Sequence, residues 1–245
     1  MIEPRKKIIF PLDFQDLNEA LLWVERLSSY VGVFKIGLEL FTKEGPRAVE
    51  EVKKRSKAQI FLDLKLQDIP NTMAGAVRSA SSLGVDFLTV HILSGRKALE
   101  SAVKSAEGGL KILGVTILTS LDKADLLELG FNGELITNLE DLVLRLAFLA
   151  RATGCDGLVA SAREVSLLKE AFPQLITVVP GIRLESSSKD DQQRTATPYE
   201  AIRKGADYLV IGRPIREAED PENTLERILK DIQKGLEEIG CSEGQ

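Results

Sequence analysis

The chain alternates short apolar runs with longer segments of helical periodicity, and this alternation occurs eight times in 245 residues. The runs predict strands at 7–13, 33–37, 59–65, 85–91, 110–118, 154–161, 175–181 and 206–212. Each run is nearly continuous in apolar residues, as expected for parallel strands that are buried on both faces. The segments after them predict helices at 16–29, 42–55, 71–83, 95–107, 122–129, 138–153, 163–171, 198–204 and 221–238.

Eight strand–helix units without a break in composition predict an α/β fold, a single (β/α)8 TIM barrel that spans residues 1–245 as one domain. The length agrees, because such barrels run to about 250 residues as a single domain. A doubly wound open sheet is the alternative arrangement of the same units.

Composition removes several classes of function. The net charge is −5 with acids and bases spread along the chain, so we expect no nucleic-acid surface and no nucleic-acid partner. His91 is the only histidine, so a metal site built from several histidines is excluded. Cys155 and Cys241 form no CxxC pattern, which indicates reduced thiols and a cytoplasmic protein. No apolar stretch is long enough for a signal peptide or a membrane span.

Polar residues collect at the carboxyl ends of the predicted strands, where barrel enzymes have their active sites. They are Asp13, Lys35, Asp63, Lys65, His91, Thr119 and Ser120. Any one of them can be a structural polar residue or part of a surface ion pair. Their common position at one rim favours a catalytic site.

The stretch FLDLKLQDIPNT, residues 61–72, carries three of the charges that need an explanation. Asp63 and Lys65 are two residues apart and therefore face the same side of a strand. Asp68 follows past the strand end, and Lys35 lies on the neighbouring strand. Alternating charges reduce the cost of burying each one, and flanking carboxylates favour a protonated lysine. Such a lysine suits stabilisation and protonation of a carbanion rather than Schiff-base formation, which needs a neutral amine.

A second group follows the seventh and eighth strands, where barrels often bind phosphate. The segments PGIR, DDQQR and IGRPI supply glycine amides together with side chains that can hold phosphate oxygens. The candidate residues are Pro180, Arg183, Gln192, Gly212 and Arg213. Either arginine alone could be a solvated surface charge, but both groups together predict a phosphate site. The Ser-rich loop between them is predicted to fold over the phosphate.

The stretch FLDLKLQDIPNT resembles the D-x-K-x-x-D-I-P-x-T signature of the orotidine 5'-phosphate decarboxylase family. The segments PLD, FKIGLEL, VTILTS, PGIR, DQQR-x-x-TP and VIGRPI occur in the order typical of that family. The resemblance covers nearly the whole chain. It implies a homodimeric barrel that converts orotidine 5'-monophosphate to UMP and CO2 with no metal and no organic cofactor.

The resemblance also implies roles for individual residues. Lys65 would donate the proton to the ring carbon that loses CO2, and Asp63 would lie beside the substrate carboxylate. Asp68 and Thr72 would reach into the site of the neighbouring subunit. The remaining residues would bind substrate: Lys35, Asp13 and His91 near the ribose, Thr119 and Ser120 at the pyrimidine, and Pro180, Arg183, Gln192, Gly212 and Arg213 around the phosphate.

Three other functions fit parts of the pattern. A sugar-phosphate decarboxylase or epimerase of the same superfamily shares D-x-K-x-x-D and would depend on a metal. A Schiff-base aldolase would use Lys35 or Lys65 as its nucleophile. A barrel without catalytic activity would bind a nucleotide phosphate and release it unchanged.

Overall fold

The computed structural model describes residues 3–184 and 196–242, and within them eight parallel strands close into a barrel in sequence order. The strands are β1 (Ile8–Pro11), β2 (Val33–Gly37), β3 (Gln59–Leu66), β4 (Phe87–His91), β5 (Lys111–Val115), β6 (Gly157–Val159), β7 (Ile176–Val179) and β8 (Tyr208–Val210). Strand β1 pairs with both β2 and β8, which closes the ring. The predicted (β/α)8 barrel is confirmed.

Most strands are shorter than the apolar runs that predicted them. Leu12, Ile117 and Ala160 lie beyond the ends of their strands and are nevertheless buried. Apolar character therefore marks burial in this chain, and strand pairing ends earlier than burial does.

Helices cover the outside of the barrel. They are α1 (Leu17–Leu27), α2 (Leu38–Glu44), α3 (Pro46–Arg55), α4 (Pro70–Ser82), α5 (Arg96–Lys104), α6 (Lys123–Glu128), α7 (Gly133–Ile136), α8 (Leu139–Ala152), α9 (Val165–Ala171), α10 (Pro198–Arg203), α11 (Arg213–Arg216) and α12 (Pro221–Ser242). Short 3₁₀ turns occupy Pro4–Lys7 and Ile92–Ser94. In the described ranges, no helix is both apolar and long enough to cross a membrane.

The single helix predicted at 42–55 is wrong, because the chain forms two helices there. Gly45 ends α2 with φ +61°, a conformation that favours glycine, and its N–H bonds to the carbonyl of Phe41. Pro46 then starts α3 at its first position, where the missing N–H costs nothing. The helices α7 and α11 were not predicted, because a segment of four residues forms about one turn and shows no periodicity.

The apolar core has two parts. The larger part lies between the strands and the helices, and the smaller part fills the barrel itself. The inner part consists of Ile9, Val33, Phe61, Phe87, Leu113 and Val178. The Phe61 and Phe87 rings meet edge to face at 6.2 Å, and Tyr208 contacts Phe87 at 5.3 Å. These rings close the interior below the carboxyl ends of the strands, so a ligand can enter only from that end.

A repeated Gly-x-Asp segment precedes β4, β6 and β8 at the opposite, amino end of the barrel. Its aspartates are Asp86, Asp156 and Asp207. In each case the carboxylate accepts a 2.8 Å hydrogen bond from a backbone N–H of the preceding strand: Ile60, Ile112 or Thr177. The carbonyl of that same residue accepts the backbone N–H of the aspartate. Three charged side chains thus fix strand pairing at the end remote from the cavity.

Candidate active site

A cavity of about 280 Å³ opens at the carboxyl ends of the strands. Nine of the residues proposed from the sequence line it: Asp13, Lys35, Asp63, Lys65, Thr119, Pro180, Arg183, Gly212 and Arg213. Apolar walls come from other positions, among them Ile117, Leu118, Val159 and Ala160. The structure therefore brings together, in one cavity, residues that are as far as 200 positions apart in the chain.

Four charged side chains form a continuous array on one side of this cavity. The Lys35 ammonium lies 3.1 Å from Asp13 Oδ1 and 3.5 Å from Asp63 Oδ2. The Lys65 ammonium donates to both Asp63 oxygens, at 3.0 and 2.9 Å. The Lys35 and Asp63 side chains are about nine-tenths buried, whereas 33% of the Lys65 side chain is exposed. Of the two lysines, Lys65 is therefore the one with more access to a ligand in the cavity.

Strand register explains how Lys35 and Asp63 come together. Lys35 on β2 pairs with Phe61 on β3, and residues two apart on a strand face the same side. Asp63 thus lies directly above Phe61, which fills the barrel interior. The buried ring closes the base of the site and the charged groups stand on it.

The charges around Asp63 decide its protonation. Burial by itself favours the neutral acid, but the two lysines and the hydrogen bonds from Lys65 and Thr89 outweigh it. The pKa of Asp63 is therefore below its ordinary value. Asp63 remains a carboxylate at neutral pH, and a second carboxylate placed beside it would be repelled.

Two residues predicted to act across a subunit boundary lie away from the cavity of their own chain. Asp68 and Thr72 are both exposed, and the Asp68 carboxylate accepts the N–H of Ile69. Among the residues that the structure describes, Asp68 forms no ion pair, and Asp13 takes the fourth place in the array. The role of Asp68 and Thr72 in a partner's site stays a prediction.

His91 and Ser120 do not line the cavity either. The His91 ring is buried, and its Nδ1 accepts the N–H of Leu93 at 3.4 Å, which caps the turn after β4. Burial, and secondarily the charge of Lys65, lowers the pKa of His91, so the ring is neutral at pH 7. Ser120 is exposed beside Thr119.

The predicted phosphate side is formed where β7 and β8 end. Arg183 donates through Nη1 to the carbonyl of Ile182, and its backbone N–H bonds to the carbonyl of Ala196. Gly212 is required by close approach, because a Cβ there would lie 2.7 Å from Cγ of Pro11. Gln192 and the Ser-rich loop lie outside the described residues.

Two polar residues of the site were not predicted from the sequence. Thr89 is fully buried and hydrogen-bonds to Asp63, and its position two residues before His91 on a strand was the signal that both face inward. Arg216 lines the cavity, donates to the carbonyl of Asp13 and lies over the Phe14 ring. Arg216 was not predicted because it lies beyond the end of the eighth strand, in the short helix α11, and that helix was not predicted either.

The acidic residues of the cavity are paired with lysines. Within 3–184 and 196–242, no three His, Cys, Asp or Glu side chains converge in a way that could hold a metal ion. The described residues that line the opening supply two ammonium groups, two carboxylates and three guanidinium groups. This set can bind an anionic ligand and stabilise negative charge that develops on it.

Comparison with known proteins agrees with this geometry. A sequence model described as the orotidine 5'-phosphate decarboxylase / HUMPS family matches residues 6–228. The orotidine 5'-phosphate decarboxylase of Pelobacter propionicus is 45% identical over 239 residues, which is 95% of this chain and 98% of that protein. The enzyme of the same description from Moorella thermoacetica is 46% identical over 94% of this chain and 93% of its own. The crystal structure of orotidine 5'-phosphate decarboxylase from Lactobacillus acidophilus superposes with a TM-score of 0.79 at 33% identity. It covers 93% of this chain and 99% of that one.

Proposed function

Since the chain belongs to the orotidine 5'-phosphate decarboxylase / HUMPS family and decarboxylates orotidine 5'-monophosphate in pyrimidine nucleotide biosynthesis, we propose that Lys65 is its proton donor. The activity makes it a carboxy-lyase, EC 4.1.1.23. The observation that carries the proposal is the array Asp13–Lys35–Asp63–Lys65 on one side of a cavity that is closed at its base. The catalytic unit is the whole chain, residues 1–245, because β1 and β8 close the same barrel.

The reaction breaks the bond between a ring carbon and its carboxylate. CO2 leaves, and the electron pair stays on the ring carbon as a carbanion. Lys65 stabilises that charge and then transfers a proton from Nζ to the carbon, which gives UMP. The resulting neutral amine regains a proton from solvent, which its one-third exposed side chain can reach.

Asp63 and Lys35 prepare Lys65 for this step. Asp63 holds the Lys65 ammonium through two hydrogen bonds, and Lys35 keeps Asp63 ionised from the other side. The pair is therefore oriented before the substrate arrives, which reduces the reorganisation needed as charge develops. Asp13 and Lys35 are proposed to bind the ribose, and Thr119 the pyrimidine, since all three line the cavity.

The phosphate is proposed to bind where Pro180, Arg183, Gly212 and Arg213 line the cavity, with Gln192 added from the loop that follows β7. Two guanidinium groups can hold phosphate oxygens by paired hydrogen bonds. The phosphate does not react, so its binding energy is available to hold the reacting ring in place.

A homodimer is proposed because the site is incomplete without Asp68, which is exposed in the single chain. Large apolar side chains are exposed on the same sector of the rim: Leu38 after β2, Ile69 after β3 and Leu93 after β4. These three residues follow adjacent strands at the same end of the barrel, and exposed apolar side chains that lie close together are typical of a protein interface. A second subunit there would bring its own Asp68 and Thr72 towards the cavity.

A cytoplasmic location is also proposed. Its support is the cysteine usage, since Cys155 is a buried free thiol and burial raises its pKa to about 11. We propose neither a nucleic-acid nor a membrane partner.

The test is the loss of ultraviolet absorbance of orotidine 5'-monophosphate when purified protein is added, with and without EDTA. We expect loss of the substrate band at the same rate in both samples. A rate abolished by the chelator would point to a metal-dependent sugar-phosphate enzyme of the same superfamily. Binding of UMP without any turnover would point to a non-catalytic barrel.

The role of Lys65 is tested by Lys65→Ala and Lys65→Arg. We expect both to lose turnover with the fold intact, because alanine removes the proton donor and arginine keeps the charge but does not release its proton. Normal turnover in either variant would overturn the assignment. A Schiff base would instead be trapped by borohydride in the presence of substrate.

A further inference from the structure

The pairing of β3 with β4 is interrupted beside the catalytic residues. Leu62 pairs with Leu88 and Leu66 with Val90, so β3 advances four residues while β4 advances two. Asp63 and Lys65 both lie within this bulge. Bulges disrupt backbone pairing and redirect side chains, and they occur often next to active sites.

Lys65 adopts a strained backbone conformation in the bulge. Its φ is +49°, and it is the only non-glycine residue with positive φ in the part of the chain that the structure describes. The left-handed region is unfavourable for a residue other than glycine, because the Cβ approaches the following carbonyl oxygen. Such a conformation persists only where the surrounding structure holds it.

The hydroxyl of Thr89 supplies that support. It accepts the backbone N–H of Lys65 at 2.9 Å. The same oxygen donates to Asp63 Oδ1, also at 2.9 Å. Thr89 is 0% exposed and does not line the cavity, so it acts through the two residues that it contacts.

We propose that Thr89 is a positioning residue of the catalytic site: its hydroxyl holds Lys65 in the left-handed conformation and fixes the rotation of the Asp63 carboxylate. The inference rests on the proposed function of Lys65. The Thr89 oxygen would therefore orient the Lys65 ammonium in two ways. It holds the backbone of Lys65, and it holds the Asp63 carboxylate that the ammonium binds.

The matched variants are Thr89→Val, which keeps the shape and removes the hydroxyl, and Thr89→Ser, which keeps the hydroxyl. We expect kcat to fall roughly 10- to 100-fold in Thr89→Val, because small displacements of catalytic groups are costly. KM changes little, because the proposed phosphate and ribose contacts lie on other strands. Thr89→Ser restores most of kcat. If the valine variant does not accumulate in folded form, Thr89→Ala replaces it.

A purely structural threonine would lower the thermal midpoint without changing the pH profile of kcat. In the positioning role, Thr89→Val also moves the acidic limb of that profile to higher pH, because Asp63 loses a hydrogen bond that favours its ionised form. Wild-type kcat in the valine variant, or a serine variant as impaired as the valine variant, would overturn the proposal.

Amide hydrogen exchange at Lys65 provides a readout that does not depend on turnover. We expect slow exchange of the Lys65 N–H in the wild type and in Thr89→Ser, and fast exchange in Thr89→Val. Equal exchange in all three would overturn the proposal. If the wild type fails to decarboxylate the substrate, the proposed function fails, and the exchange experiment still decides whether Thr89 holds Lys65.

Discussion

Different cationic side chains of the cavity are proposed to have different roles: Lys65 stabilises the developing charge, and Arg213 binds the phosphate. Arg213 follows β8 and is proposed to bind the phosphate, whereas Lys65 lies on β3. We expect Arg213→Ala to lower kcat/KM for orotidine 5'-monophosphate by about 10- to 100-fold, because a hydrogen bond to a charged group is worth about 1.5–3 kcal/mol. Its effect on the phosphate-free nucleoside should be small. Steady-state kinetics with both substrates measures the difference, and equal losses would contradict the phosphate assignment.

His91 reports the charge of Lys65 directly, because it is the only histidine in the chain and gives one set of imidazole resonances. Burial and the Lys65 charge lower its pKa, so its NMR titration should give a midpoint below 6.5. In Lys65→Met the pKa should rise, and burial should still keep it below 6.5.

The same shift predicts a pH dependence of stability. The unfolded chain binds a proton on His91 at higher pH than the folded chain does. The contribution of His91 to the free energy of unfolding is therefore constant above the unfolded pKa and decreases as pH falls below about 6.5. Denaturation of the wild type and of His91→Gln between pH 5 and about 8 measures it. A smaller pH dependence in the wild type than in the variant would contradict the assignment.

At the scale of elements, the sequence predicted every strand and the rim that carries the site, because apolar runs and helical periodicity are local signals. Asp63 and Lys65 were found because charge at the end of an apolar strand is visible in one segment. The bulge at Lys65 and the bonds of Thr89 were not predicted, because both depend on the register between β3 and β4. The Gly-x-Asp repeat is visible in the sequence. Its role could not be predicted, because it depends on hydrogen bonds between each aspartate and the preceding strand.

That repeat leads to a prediction about the amino end of the barrel. Asp156→Ala removes the acceptor of the buried Ile112 N–H, so we expect the free energy of unfolding to fall by about 1–3 kcal/mol. Asp156→Asn keeps an acceptor oxygen and should lose less. The kcat of both variants should equal that of the wild type, because the cavity lies at the opposite end of the strands. Urea denaturation and steady-state kinetics measure the two effects, with the exposed Glu219→Gln as control. Loss of kcat without loss of stability would contradict the separation of the two ends.

At the scale of the whole molecule, the chain carries a net charge of −5 yet acts on an anion. The positive charge that attracts the substrate is therefore local, and Lys35, Lys65, Arg183, Arg213 and Arg216 all line one opening. The array within one chain ends at Lys65, whose side chain is one-third exposed. A carboxylate from a second subunit would continue the alternation of positive and negative charge at that point. The exposed Asp68 is the residue proposed to supply it.

This arrangement predicts complementation between two inactive variants. Lys65→Ala lacks the proton donor, and Asp68→Asn lacks the charge that is proposed to act in the partner's site. In a mixed dimer, one site receives both defects and the other receives neither, because each site takes Lys65 from one chain and Asp68 from the other. After unfolding and refolding of an equal mixture, we expect roughly a quarter of wild-type specific activity, since half of the randomly paired dimers are mixed and each has one intact site. Each variant refolded alone is the control. Activity no greater than that of the two controls would show that Asp68 serves its own chain or has no part in catalysis, and would remove the argument for a shared site.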